Sequence, residues 1–260
     1  MNTYIELFER AEASYVEGDF QTALECFEKA LEMSCSVDCI NYIACCYLNL
    51  GDLDKAEQLL RNLISTNPFW ERPYFNLGRV NMKLGRMVET LQYFQTAIEI
   101  DPDSEDAYYY LGVYYFQTED YLKATKYYKK SLSIDNKQAE THLNLGLCYF
   151  RLQEYDKALK ETKLAYLLDA DNTDAINNIG VIYNAKGEYK KALKYYLEAH
   201  GFLKNDTEIM NDIAHSYFKL KDYEQAIEWA EKILEIEPAH CYANNLLHNV
   251  KILMKREMGE

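Results

Sequence analysis

The segment AETHLNLGLCYFR, Ala139–Arg151, decides the fold. Leu143, Leu147 and Phe150 follow one another at spacings of four and three, and Leu145 and Tyr149 at four, which is the helical period. Gly146 sits among them, where a missing side chain lets a second helix approach closely. The segment is followed by a polar pair, Gln153-Glu154, then Tyr155 and Ala158. A second amphipathic run begins there, so the local reading is a helical hairpin.

Working outward, the same punctuation recurs along the chain. The polar pair reappears as Gly18-Asp19, Gly51-Asp52, Gly85-Arg86, Glu119-Asp120, Gly187-Glu188 and Lys221-Asp222, at a step of 33 once and 34 thereafter. An apolar or aromatic residue follows each pair: Phe20, Leu53, Met87, Tyr121, Tyr155, Tyr189 and Tyr223. Small residues form two columns, one upstream (Ala11, Ala44, Gly78, Gly112, Gly146, Gly180, Ala214) and one downstream (Ala23, Ala56, Thr90, Ala124, Ala158, Ala192, Ala226). Pro68, Pro102 and Pro238 share one slot after the second helix, where proline cannot continue it. Asp38, Asp106, Glu140, Asp174 and Glu208 fall in the first turn of the first helix, on the side the helix dipole favours. A fixed period of this length predicts a repeat array, each unit packing on its neighbours.

A 34-residue unit with Leu-Gly (Leu77-Gly78, Leu111-Gly112, Leu145-Gly146), Tyr three further on, Ala, an aromatic (Phe94, Tyr128, Tyr196), Ala and Pro resembles the tetratricopeptide repeat. The resemblance implies an all-α, right-handed superhelical solenoid, expected as one domain over 4–240. Its seven repeats are placed at 4–36, 37–70, 71–104, 105–138, 139–172, 173–206 and 207–240. Residues 241–257 read as a capping helix with an apolar stripe (Tyr242, Leu246, Val250, Leu253) and a polar side (Asn245, His248, Asn249, Lys255).

Composition narrows the function. The net charge of -14 argues against nucleic acid and anionic membranes, which need clustered Lys and Arg. No apolar run reaches the ~18 residues of a membrane span, and the first residues from Met1 lack the pattern of a secretory signal. The seven cysteines are an odd number and read as reduced thiols of a cytoplasmic protein. Eight of the ten glycines fall in two repeat columns, so none is left to cradle a phosphate. Cys35 and Cys39 are too widely spaced for a zinc knuckle, and the five histidines are scattered. No catalytic set, metal or cofactor is expected, and the chain reads as a non-enzymatic scaffold with a protein or peptide partner.

In the family the first helices line a concave face that takes peptides. Carried onto this chain, that face offers Arg72, Asn76 and Arg79 in repeat 3, Tyr109, Tyr110 and Phe116 in repeat 4, Asn144 in repeat 5 and Asn178 in repeat 6. Asn76, Asn144 and Asn178 share one slot, and a carboxamide can bracket a peptide unit with its donor and acceptor. Tyrosine is unusually abundant, with 24 copies; Tyr108, Tyr115, Tyr121 and Tyr128 of repeat 4 read as core, whereas Tyr109 and Tyr110 do not. No three adjacent repeats carry the paired Lys, Arg and Asn of the chaperone-tail clamp. The competing readings are weak self-association, starting from the uncovered first helix (Tyr4, Ile5, Phe8), a regulatory array, and a domain of a larger protein.

Overall fold

The computed structural model describes residues 3–258, and within helix interiors the side chains of 254–258, Lys255 among them, lie outside the described residues, as do Met1 and Asn2. Fifteen helices and no strand occur among the described residues. Residues 1–136 and 137–260 form two compact units. Unit 1 holds α1 (Tyr4–Val16), α2 (Phe20–Met33), α3 (Val37–Leu50), α4 (Leu53–Thr66), α5 (Glu71–Lys83), α6 (Met87–Ile100), α7 (Glu105–Gln117) and α8 (Tyr121–Ile134). Unit 2 holds α9 (Ala139–Arg151), α10 (Tyr155–Leu168), α11 (Thr173–Ala185), α12 (Tyr189–Phe202), α13 (Thr207–Lys219), α14 (Tyr223–Ile236) and α15 (Cys241–Met258). Two helices fall in each of the seven repeat intervals, and α15 follows the seventh.

The turn inside each hairpin explains the polar pairs. Its first residue adopts a left-handed conformation in all seven repeats: Gly18, Gly51, Gly85 and Gly187, but also Glu119, Gln153 and Lys221, with φ of 61° to 88°. Glycine is at ease there and the other three are not. The second residue caps the next helix. Asp19, Asp52, Asp120 and Asp222 each accept a hydrogen bond from the backbone N–H three residues on, at 3.1–3.3 Å. Second helices end at the same slot whether or not proline follows: α12 stops at Phe202 with none nearby.

The small-residue columns bring the hairpins together. Gly78, Gly112 and Gly180 face the rings of Phe94, Tyr128 and Tyr196; a Cβ added at any of them would meet ring carbon at 2.5–2.6 Å. Gly146 faces Thr162 instead, with the hydroxyl oxygen 2.4 Å from where its Cβ would be. Ala23, Ala56, Ala124, Ala158, Ala192 and Ala226 are fully buried on the opposite helices.

The tyrosines depart from expectation. Of the four assigned to the core of repeat 4, only Tyr128 is buried; Tyr108, Tyr115 and Tyr121 are half-buried. The reason lies in the second helix, whose lysines cover the rings in place of apolar side chains. Lys123 lies 5.0 Å over Tyr115, Lys130 5.4 Å over Tyr108 and, in repeat 2, Lys55 4.8 Å over the half-buried Tyr47. A long aliphatic stem with its ammonium at the rim suits an aromatic that is half in water.

The cap closes unit 2. Ala243, Leu246 and Val250 join the cluster of Ile213, Ala214, Trp229 and Ile233, with Tyr242 packed beside it. Asn245, His248 and Asn249 are exposed, and Leu253 is half-buried. At the other end, α1 leaves Ile5 and Val16 exposed, while Tyr4 and Phe8 pack against its neighbours.

Among the described residues no disulfide joins the cysteines. Cys26, Cys39, Cys45, Cys46 and Cys148 are buried, and Cys35 and Cys241 exposed. Burial pushes Cys45 up to about 11 and Cys46 to about 12, so both are inert as nucleophiles at neutral pH.

Candidate functional site

Slots 5 and 6 of each first helix, counted from the first residue of the repeat, vary in chemistry from one repeat to the next. In unit 1 they hold Phe8-Glu9, Asn41-Tyr42, Phe75-Asn76 and Tyr109-Tyr110, and the last two pairs bring three rings together. The rings assemble on one another. Phe75 and Tyr110 meet edge to face at 5.2 Å, Tyr109 and Tyr110 do the same at 5.2 Å, and Tyr109 tilts against Tyr128 at 5.8 Å. Such pairs hold each other in place beyond the area they bury. The Arg79 guanidinium lies 5.2 Å over Tyr110 and 5.7 Å over Phe75. Arg72 is exposed on the preceding turns, its nearest acid Glu71 at 3.8 Å.

Asn76 differs from the expectation of an open rung. It is 4% exposed, its Nδ2 donates to Asn41 Oδ1 at 3.0 Å, and its Oδ1 accepts from Arg79 Nη1 at 3.2 Å. Both ends of the amide are engaged, so its role is to orient Arg79. Phe116 stands seven residues beyond Tyr109 on α7, two turns away, and packs edge-on against Tyr121 at 5.5 Å.

In unit 2 slots 5 and 6 carry amides and an acid: Leu143-Asn144, Asn177-Asn178 and Asn211-Asp212. Asn144 and Asn178 are half-buried. The Oδ1 atoms of Asn177 and Asn211 are buried without a hydrogen-bond partner, as is the hydroxyl of Tyr196. Burial, helped by Glu208 and Asp206, pushes Asp212 up to about 6. His215 Nδ1 lies 2.6 Å from the hydroxyl of Tyr242, tying α13 to the cap.

Between α9, α10 and α11 an open cavity of about 200 Å³ reaches down to Gly146 and Thr162, with Asn178 and Arg151 at its edge. Thr162 was not singled out from sequence. The signal was present as a gap: Phe27, Leu60, Phe94, Tyr128 and Tyr196 occupy the equivalent slot in five other repeats, and Thr162 and Ala230 are the two small residues of that column. A larger apolar groove of about 630 Å³ lies in unit 1 on the side of the second helices, over α3 between α2 and α4. Among the described residues no cluster of His, Cys, Asp or Glu is arranged to hold a metal, and no helix is long and apolar enough to cross a membrane.

The family is now established on two independent grounds, repeat geometry and sequence models. Tetratricopeptide repeat models match residues 16–77 and 115–179, 71–137, 173–201 and 207–240. The chain belongs to the tetratricopeptide repeat family. No curated protein sequence matches it. Among solved structures it is similar to YrrB, described as a TPR protein with an unusual peptide-binding site. That likeness has 23% identity and a TM-score of 0.65, and covers 74% of this chain and 97% of that one. It is also similar to the C-terminal part of a TPR repeat-containing protein from Cytophaga hutchinsonii, at 22% identity and a TM-score of 0.67, covering 92% and 99%. A third likeness is to PilF of Pseudomonas aeruginosa, at 14% identity and a TM-score of 0.71, covering 82% and 97%. At these identities the likenesses speak for the fold.

Proposed function

We propose that this chain is a non-catalytic interaction module that binds an extended peptide segment of a partner protein along its first-helix face. The observation that carries the reading is the ring assembly of Phe75, Tyr109 and Tyr110 under the Arg79 guanidinium. Aromatic residues and arginine dominate binding hot spots because each supplies large contact area with few rotors to freeze. Membership of a family of protein-binding scaffolds supports the same reading, as does the peptide-binding description of YrrB.

Tyr109 and Tyr110 are the anchor, and Arg72 and Arg79 favour an acidic group or a terminal carboxylate beside it. Asn144 and Asn178 hold peptide backbone, each net hydrogen bond adding about 0.5–1.5 kcal/mol. Asn76 acts through Arg79, and Phe116 supplies apolar area two turns further on. Affinity is on the order of micromolar, because ordering a flexible segment offsets much of the contact energy. Seven cysteines with no disulfide between them support a reading in which the protein works in a reducing compartment such as the cytoplasm.

A peptide array of the host proteome, followed by titration of the best hits, tests this. Tyr109→Ala/Tyr110→Ala loses most binding, while Asn144→Ala/Asn178→Ala weakens it to a similar extent across peptide sequences. Full affinity in both variants, with concentration-dependent self-association abolished by Ile5→Asp, replaces the groove reading with assembly through the exposed face of α1.

A further inference from the structure

In three repeats the small residue of the first helix is covered by a ring from the second: Phe94 over Gly78, Tyr128 over Gly112 and Tyr196 over Gly180. Repeat 5 keeps the glycine, Gly146, but sets Thr162 against it. Thr162 donates its hydroxyl to Ala158 O of its own helix at 2.9 Å, so it brings no unspent polar atom to the space it leaves. The neighbours do not collapse into that space. What remains is the cavity of about 200 Å³, walled by Leu147, Phe150, Val181 and Ile182.

Its dimensions and lining select an occupant. The volume is below the roughly 300 Å³ where small-molecule pockets begin, yet above the roughly 150 Å³ apolar cavity known to hold one benzene ring. The rim is polar: Asn178 is half-buried and Arg151 exposed. Among the described residues no acid lies within ion-pair distance of Arg151, in a chain whose net charge is -14. An unpaired guanidinium beside an apolar hole complements a ring flanked by a carboxylate.

We infer that the Thr162 cavity of repeat 5 is a specificity pocket that takes one phenylalanine-like side chain of a bound peptide, next to an acidic residue held by Arg151. The incoming ring takes the space beyond the Thr162 hydroxyl, the part of the slot that the larger side chains Phe94, Tyr128 and Tyr196 reach into in their own repeats. The inference rests on the peptide-binding reading and adds to it what the peptide must contain. It assigns Thr162 as the determinant through the space it vacates, Arg151 as the acid-selecting group and Asn178 as the backbone contact beside the ring.

The test uses the full chain with labelled methyl groups and three synthetic tripeptides, each N-acetylated and C-amidated. Asp-Phe-Asp is the probe, and Asp-Ala-Asp and Asn-Phe-Asn are the controls. Asp-Phe-Asp is expected to shift the methyl signals of Leu147, Val181 and Ile182 saturably, at about millimolar affinity for so small a ligand. Asp-Ala-Asp binds about tenfold more weakly or worse, since a buried ring is worth at least that factor. Asn-Phe-Asn loses several-fold, and Arg151→Gln removes the difference between Asp-Phe-Asp and Asn-Phe-Asn. Thr162→Phe rebuilds the covering ring and abolishes the shifts while leaving the helical signal intact; Thr162→Val keeps the volume and serves as the folded control that retains binding. Absence of saturable shifts at these methyls, or Thr162→Phe binding like wild type, overturns the pocket. Array peptides that depend on Tyr109 and Tyr110 but ignore Thr162→Phe overturn it too, and leave the groove reading standing. Tripeptide binding at Thr162 with array hits indifferent to Tyr109→Ala/Tyr110→Ala does the reverse.

Discussion

Repeats 3 and 4 in unit 1 and repeats 5 to 7 in unit 2 share one backbone plan and differ in what they place on it. In repeats 3 and 4, slots 5 and 6 bring together three rings that brace each other and one arginine, with Asn76 buried beside them. In unit 2 the same slots carry Asn144, Asn177, Asn178, Asn211 and Asp212, with buried acceptors unspent and a cavity open to Gly146. The hairpin frame depends on small residues, turn residues and caps. The surface depends on a few slots that those requirements leave untouched. Divergence between the two regions therefore costs the fold little while changing the chemistry offered to a partner.

The largest expected effect breaks the frame itself. Gly146→Leu collides with Thr162 and with the backbone oxygen of Ala158, forcing α9 and α10 apart at a cost of about 1–3 kcal/mol or more. Because repeats contact only their neighbours, hydrogen exchange is expected to accelerate in α9 to α11 while α1 to α4 stay protected. Uniform loosening of every helix contradicts the independence of frame and surface.

Next is the acid of slot 6 in repeat 7. Asp212 is pushed up to about 6 by burial and by Glu208 and Asp206, above the roughly 4 of an unfolded chain. Its ionised form thus opposes folding above pH 6, and the penalty fades as pH falls, vanishing below about pH 4. Asp212→Asn is expected to stabilise unit 2 by about 1–2 kcal/mol at pH 7.5 and by almost nothing at pH 4. Melting curves at the two pH values check this; equal gains at both show that the carboxylate is not the cause.

A smaller gain is expected from Tyr196→Phe. The hydroxyl is buried without a partner, and deleting it while keeping the ring over Gly180 removes a desolvation penalty of about 1 kcal/mol. Urea midpoints should rise with an unchanged slope; a fall means the hydroxyl is hydrogen-bonded in solution. The smallest effect concerns the turns. Lys221→Gly relieves a left-handed φ of 62° but adds unfolded-state entropy, for a net gain of about 0.5 kcal/mol. Gly187→Ala, at φ 76° in the same slot one repeat earlier, loses stability and sharpens the comparison by its opposite sign.

The frame was legible because it is written in residues whose reason is local and recurs. Glu119, Gln153 and Lys221 carry no turn signal of their own, yet the period placed them with the glycines, and all seven positions adopt the same left-handed turn. The helix ends followed from the same register. The site was less legible. Asn76 reads as an open rung until Asn41, 35 residues earlier in the preceding repeat, comes within hydrogen-bond distance. Tyr108, Tyr115 and Tyr121 share columns with core residues, and only the lysines of the second helix show how far they are covered. A cavity is a still subtler matter. Thr162, like Ala230, interrupts a column of larger residues, but whether the space beside Thr162 closes is decided by Leu147, Phe150, Val181 and Ile182 together.

The distribution of buried thiols makes the molecule its own stopwatch. A thiol reagent cannot reach Cys26, Cys39, Cys45 or Cys46 until unit 1 opens around them, whereas Cys148 reports the same event for unit 2. Cys35 and Cys241, exposed near the two ends, react at once and mark the start of the count. Labelling followed by intact-mass measurement would then separate into a fast burst of two modifications and slower steps whose rates are the opening rates of each unit. The lifetimes of the two regions can be read from one sample, without adding a probe.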